Sequence, residues 1–127
     1  MYSSIFNKKQ LIEEIRKHYE AFYRDNKVDY KEIILRNAKS DLRVSVVTPV
    51  YNGEKFVYDA FNSLENQTIV ESIEWVIIDD CSTDSTFELI KKLSINSKIG
   101  KIKLLRLDKN MGQSFGLWLG FRNTSCD

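Results

Sequence analysis

Histidine, cysteine and proline are nearly missing from this 127-residue sequence, which has one histidine, two cysteines and one proline. His18 sits in an amphipathic stretch, and no serine or cysteine has a histidine partner in sequence, so triad chemistry has no support. Cys81 and Cys126 are too few for a disulfide framework or a zinc set, and a reducing compartment is the default. No run approaches the roughly 18 apolar residues of a spanning helix. The first stretch, Met1 to Gln10, lacks the long apolar core of a signal peptide. These absences imply a cytoplasmic protein and leave open a position peripheral to the inner face of a membrane. Charge of one sign is also lacking. The net charge is +1, and residues 1–43 hold ten Lys/Arg against seven acids. That pattern fits a solvated surface rather than a basic block, so no nucleic-acid partner is expected. No Gly-x-Gly-x-x-Gly follows a strand and no Gly-Lys-Ser/Thr occurs, which excludes a dinucleotide fingerprint and a P-loop.

What is present fits one domain of ordinary soluble composition, 43% apolar and 29% charged. Ile5, Ile12, Ile15, Tyr19 and Phe22 recur at helical spacing and predict a helix over 5–24. Val28, Ile33 and Ile34 suggest a second helix around 28–38. The character changes at Leu42. Val44–Thr48 is a β-branched run of the kind that suits a strand covered on both faces, and Pro49 is expected to end it. A helix through about Asn66 follows Gly53-Glu54, with Phe56, Ala60, Phe61 and Leu64 on one side. Glu74–Asp79 reads as a strand, and Ser82–Thr86 offers N-cap oxygens to a helix running to about Ile95. Lys101–Leu107 is a third strand. A last helix runs from the Asn110–Ser114 turn to about Asn123. The order β-α-β-α-β-α implies an α/β fold with a parallel sheet and right-handed crossovers.

Ligands of open parallel sheets bind outside the carboxyl ends of the strands. Pro49–Gly53, Asp79–Ser82 and Asp108–Gly112 therefore share one rim. Tyr51 can stack on a base, and a carboxylate can accept a base N–H or grip ribose hydroxyls. Asp79 and Asp80 point to opposite sides of a strand, so one of them faces the ligand. The competing reading is structural: Asp80 and Asp84 cap the next helix and Tyr51 packs.

Four segments in register carry a family resemblance. Val44-Ser45-Val46-Val47-Thr48-Pro49-Val50-Tyr51-Asn52-Gly53-Glu54 resembles the opening strand and turn of inverting family 2 glycosyltransferases with the GT-A fold. Ser63-Leu64-Glu65-Asn66-Gln67-Thr68 is similar to the end of their first helix. Trp75-Val76-Ile77-Ile78-Asp79-Asp80-Cys81-Ser82-Thr83-Asp84 resembles their acidic segment, and Asp108-Lys109-Asn110-Met111-Gly112 their Asn-x-Gly turn. The match covers roughly residues 43–127. The resemblance implies a Rossmann-like GT-A half at 41–127, preceded by a helical extension at 1–40. It implies a nucleotide site in which Pro49 and Tyr51 line the base pocket and Asp80 contacts the base, usually uracil. Glu54 and Asp79 would shape the donor site, and Asn110 and Gly112 the loop near the diphosphate.

Departures from the family pattern are also visible. Glycine is usual at Cys81, and cysteine enters a left-handed conformation at a cost. Leu117 and Trp118 stand where polar donor contacts are usual, so the family's phosphate contact lacks its residues here or the donor is a different one. The family's Asp-x-Asp motif, which holds Mn or Mg on the donor diphosphate, and its catalytic base would lie past Asp127. The resemblance therefore implies a truncated donor half, with a divalent metal expected in the complete enzyme and none held by motifs in this chain. The strand that would pair beside Val44–Thr48 would be missing, so that edge is expected to be covered by the N-terminal helices, a homodimer partner or rearranged residues. The function implied is transfer of sugar from a UDP-sugar or other nucleotide sugar to a glycan or lipid-linked acceptor with inversion, in polysaccharide synthesis. A non-catalytic donor-binding or oligomerisation module is the alternative. A receiver-like domain is a weaker third reading, because its acid pair should end the first sheet strand and here ends the second.

Overall fold

The computed structural model describes residues 8–26, 28–39 and 41–126. The elements run α1 (Lys8–Asn26), β1 (Tyr30–Asn37), β2 (Val44–Val50), α2 (Glu54–Glu65), a short 3-10 turn (Val70–Ser72), β3 (Ile73–Asp79), α3 (Thr86–Ser94), β4 (Lys101–Leu107) and α4 (Gln113–Arg122). The four strands form one sheet in the order β1-β4-β3-β2. Strands β2, β3 and β4 are parallel, as the β-α-β alternation requires. The central strand β3 is buried at every position, which accounts for its unbroken apolar run.

Each face of the sheet has its own core. Trp75, Ile77, Ile102 and Leu104 pack with Val57 and Phe61 of α2 and Ile90 of α3. Val76, Ile78, Leu105 and Leu107 pack with Phe115, Trp118 and Leu119 of α4. Helix α4 lies close because two of its residues lack side chains. A Cβ at Gly116 would come 3.1 Å from Pro49, and one at Gly120 would come 2.3 Å from Val47. Helix α1 covers α4 through Tyr19, whose ring lies 5.9 Å from Phe115 and 6.0 Å from Trp118. Leu11 and Phe22 are 41% and 40% exposed. Ile5 lies outside the described residues, as do the side chains of Ile12 and Ile15.

Three expectations need correction. The segment 28–38 is not a helix: Tyr30–Asn37 is a strand, antiparallel to β4 from Tyr30↔Leu107 to Asn37↔Lys101, with an irregularity between Ile34 and Arg36. Tyr, Ile, Ile and Leu within eight residues suit a strand as well as a helix. The open edge of β4 decides between them, because it offers a ladder of backbone partners that a solvent-exposed helix would forgo. Ile33 and Leu35 then reach one core and Tyr30 the other, and Glu32 meets Lys103 at 3.6 Å across the ladder. Residues grouped with the N-terminal extension thus supply an edge strand.

The second correction concerns Pro49, which does not end β2. It pairs in register with Ile78, and the strand continues to Val50. The Asp80 N–H donates to the Val50 carbonyl, so Val50 turns its backbone toward β3 and Pro49 turns its own outward. On that outer side a missing N–H costs nothing. The third concerns α2, whose buried residues are Val57 and Phe61, while Phe56 is 52% exposed.

Among the described residues no strand pairs with the outer side of β2. The C-terminal segment meets its beginning instead. The Cys126 N–H donates to Ser45 Oγ at 3.2 Å, and Lys8 Nζ donates to Thr124 Oγ1 at 3.2 Å. Beside this junction lies a buried carboxylate, Glu74. It accepts from Ser45 Oγ, the Ser125 N–H and Ser125 Oγ, each at 2.7 Å, and sits 3.7 Å from Lys101 Nζ. Burial opposes its ionisation, but the Ser125 and Ser45 hydrogen bonds and the Lys101 charge outweigh it and hold Glu74 below the ordinary carboxylate value.

Two outcomes test this packing. Because the folded-state pKa of Glu74 is depressed, its stabilisation is present above the ordinary value of 4.5 and lost as pH falls through the depressed one. Glu74→Gln should therefore unfold at lower urea than the unmodified protein at pH 7, and the gap should close toward pH 3; a gap independent of pH contradicts the bonded carboxylate. Gly100 receives the Ala38 and Lys39 N–H groups on its carbonyl and donates to the Val70 carbonyl. A Cβ there would sit 2.2 Å from the Glu71 carbonyl oxygen. Gly100→Ala should lose about 1–3 kcal/mol or more in urea denaturation, since a backbone oxygen cannot rotate aside.

Candidate functional site

The carboxyl ends of β2 and β3 and the start of α4 enclose a cleft of about 450 Å³ lined by Pro49, Val50, Tyr51, Asn52, Gly53, Phe56, Asp80 and Gln113. That size suits a small ligand. Tyr51 is 50% exposed in it. The turn carrying Tyr51 is sewn to the loop before α3. Asn52 has φ 49°, a left-handed conformation that asparagine tolerates better than most residues. Its side-chain oxygen accepts from the Thr83 N–H at 2.8 Å, the Thr83 hydroxyl at 3.3 Å and the Asp84 N–H at 3.3 Å. In return the Asn52 N–H donates to Ser82 Oγ and the Gly53 N–H to Thr86 Oγ1.

The acid pair divides its work. Asp80 faces the cleft. It is 4% exposed, and its two oxygens accept from the Met111 N–H at 2.6 Å and the Gly112 N–H at 2.9 Å. Gly112 has φ 91° with nothing within 4 Å of a Cβ, so glycine is required there for its backbone and not for space. Asp79 is fully buried on the other face. One oxygen accepts from the Ser82 N–H at 3.0 Å and the other lies 3.7 Å from Arg106 Nε. The Arg106 guanidinium in turn lies 4.2 Å over the Phe87 ring. The opposite pointing expected of the two acids is what the strand produces.

Glu54 does not line the cleft. It accepts from the Ser85 N–H at 3.1 Å, while its own N–H donates to Asp84. Asp84 accepts from the Thr86 N–H at 2.9 Å and from the Thr86 hydroxyl, which secures the first turn of α3. Burial opposes its charge, yet those donors together with the Glu54 N–H keep its pKa below the ordinary value. Asp84 thus has the capping role weighed for it, whereas Asp80 holds the 111–112 backbone instead. Asn110 is exposed beside that backbone. Cys81 adopts φ 64°, the left-handed conformation where glycine is the easier occupant, and its Sγ lies 3.6 Å from the Asp108 carbonyl. Leu117 is half-buried, and Trp118 is 1% exposed inside the α1–α4 aromatic cluster. Asn52, Phe56 and Gln113 were not singled out for the site from sequence. The Asn-Gly pair is a turn signal that could have flagged Asn52.

A family model described as Glycosyl transferase family 2 matches residues 45–127. The chain belongs to glycosyl transferase family 2. Among curated family 2 relatives, it is 36% identical over 72 residues to poly(ribitol-phosphate) beta-N-acetylglucosaminyltransferase TarS of Staphylococcus aureus, an alignment covering 56% of this chain and 12% of the relative. It is 34% identical over 86 residues to dolichol-phosphate mannosyltransferase of Pyrococcus furiosus, covering 68% and 24%. The chain thus spans a quarter or less of the length of these relatives. Among solved structures, that of S. aureus TarS in complex with UDP-GlcNAc superposes with a TM-score of 0.56 at 30% identity, covering 67% of this chain and 24% of that one. Mannosyltransferase PcManGT from Pyrobaculum calidifontis, in complex with GDP-Man and Mn2+, superposes at 0.61 with 19% identity, covering 87% and 32%. At that identity the likeness is one of fold alone. The fold of this family 2 chain is the Rossmann-like GT-A architecture.

The stitched turn predicts a specific sensitivity. Asn52→Gly keeps the left-handed backbone and removes the acceptor shared by Thr83 and Asp84. It should lower stability by about 0.5–1.5 kcal/mol, the usual net worth of a hydrogen bond whose donors can reach water, with urea denaturation as the measurement. An unchanged midpoint would show that water replaces the side chain without loss.

Proposed function

We propose that the cleft binds the nucleoside diphosphate of an activated sugar, a UDP-sugar first, and that the chain is the donor half of an inverting transferase acting on a glycan or lipid-linked acceptor. The observation that carries this reading is the joint placement of an exposed aromatic ring, Tyr51, and a cleft-facing carboxylate, Asp80, at the carboxyl ends of parallel strands. The UDP-GlcNAc complex of TarS supports a uridine nucleotide as the first candidate. Teichoic and teichuronic acid transferases among the relatives support a polymer of the cell surface as the product.

In this reading the base lies against Tyr51. A base N–H donates to Asp80, whose carboxylate has acceptor capacity beyond the two backbone bonds it already receives. The Asp80 bonds to Met111 and Gly112 hold the loop at the start of α4, where a helix N-terminus favours negative charge. In the complete protein a general base takes the proton of an acceptor hydroxyl as its oxygen attacks the anomeric carbon, the nucleoside diphosphate leaves with the electron pair of the broken carbon–oxygen bond, and one in-line displacement inverts the configuration.

The described residues do not fit a divalent metal: no group of three His, Cys, Asp or Glu comes together among them. Asp79 is held by Ser82 and Arg106, and Asp80 by the 111–112 backbone. In this reading, donor binding by this chain uses the Tyr51 ring and the Asp80 carboxylate. Among the described residues no helix is long and apolar enough to cross a membrane. The outer side of β2 is where a second copy of the chain would pair in a homodimer.

A calorimetric titration with UDP tests the donor site. Saturable binding is expected, weakened by Tyr51→Ala by about 1–3 kcal/mol, the worth of one stacked base, and weakened also by Asp80→Asn. Absence of binding, or affinity unchanged in both variants, overturns the reading.

A further inference from the structure

We propose that Phe56 is a second base-contacting residue of the cleft, working with Tyr51 as a pair of aromatic walls; this rests on the donor-site reading above. A lone exposed phenylalanine is unremarkable on a protein surface, so the inference depends on where this one stands. Helix α2 buries Val57 and Phe61, one turn apart, against the sheet. Phe56 is one residue, about 100° of helix rotation, off that stripe and contributes nothing to the core. Its ring is 52% exposed, close to the 50% of Tyr51, and both residues line the same cleft.

The two aromatics leave opposite ends of one rigid turn. The Asn52 and Gly53 N–H groups are held by Ser82 and Thr86, and the Phe56 and Val57 N–H groups both donate to the Gly53 carbonyl at 2.9 Å. The Gly53 position is itself tight, since a Cβ there would lie 2.4 Å from Val50 and 3.8 Å from the Phe56 ring. Little backbone freedom therefore remains to be lost when a ligand enters, and each aromatic side chain has only two torsions to fix.

The rest of the lining completes a pattern. Pro49 and Val50 are apolar, whereas Asp80 and Gln113 put a carboxylate and an amide on the same cleft. Apolar walls interrupted by a carboxylate and amides suit a flat heteroaromatic ring with a polar edge, and fit a bare phosphate poorly. The chemical class selected is a nucleobase. Stacking tolerates any base, so Phe56 is expected to set affinity while Asp80 and Gln113 sense the edge.

The test is UDP titration of the 127-residue chain and its Phe56→Ala, Phe56→Leu, Phe56→Tyr and Tyr51→Ala variants, with thermal melting in parallel. Phe56→Ala and Phe56→Leu should weaken UDP about fivefold or more, at the low end of one base–aromatic contact. Phe56→Tyr should restore binding, and melting should stay near that of the unmodified chain because the ring is half in solvent. If the unmodified chain binds UDP and Tyr51→Ala weakens it while Phe56→Ala and Phe56→Leu bind as tightly as before, the Phe56 inference is overturned and the donor site stands. If the unmodified chain binds no UDP, both fall together. A loss of UDP affinity that tracks a lowered melting temperature and is not rescued by Phe56→Tyr also overturns the inference, since it assigns Phe56 a structural role.

Discussion

The rim depends on the buried end of β3. A strand sends successive side chains to opposite faces, so two adjacent acids at its end cannot serve one purpose. Asp79 is driven into the α3 face, where Ser82 and Arg106 receive it, and Asp80 into the α4 face, where the Met111 and Gly112 N–H groups do. The loop before α3, strand β4 and the loop before α4 are thereby fixed to one strand end. The same alternation leaves Asp80 alone at the cleft. A buried carboxylate is tolerable only when donors surround it, and here the donors are the backbone that opens α4. Position of the helix and satisfaction of the buried acid are one arrangement.

Much of this was legible in the residues. The apolar run Trp75–Ile78 is a strand covered on both faces, while the β-branched run Val44–Thr48 is a strand at the sheet edge, where its residues are exposed or partly buried rather than covered. The opposite pointing of Asp79 and Asp80 followed from strand geometry alone, and the left-handed strain at Cys81 from the glycine usual there. The parts that were not legible depend on neighbours distant in sequence. Tyr30–Asn37 has no strand signal stronger than its helical one, and the unfilled edge of β4 settles the matter. Pro49 inside a strand is forbidden or harmless according to which side faces outward, and only the ladder fixes that. Asp80 as the anchor of the 111–112 backbone required knowing that β3 and the start of α4 are adjacent. Phe56 looked like core because helical spacing places it near Ala60, but the buried residues of α2 are Val57 and Phe61.

The departures in α4 have a physical account in the same terms. Phe115, Trp118 and Leu119 are buried, and α1 brings Tyr19 onto Phe115 and Trp118. Gly116 and Gly120 let the helix sit against Pro49, Val47 and Ile78. A helix buried against the sheet on one side and an aromatic cluster on the other has little surface left for charged or polar side chains, because each would need a buried partner. Trp118 is therefore the consequence of covering α4 with α1. In the proposed donor site, polar contacts from this part of the chain fall to the beginning of the helix, where Gln113 lines the cleft and Asp80 holds the backbone in place. Asp80 and Gln113 thus share the cleft with Tyr51 and Phe56. In the proposed donor site this lining would hold the base and leave the identity of the sugar to residues beyond this cleft.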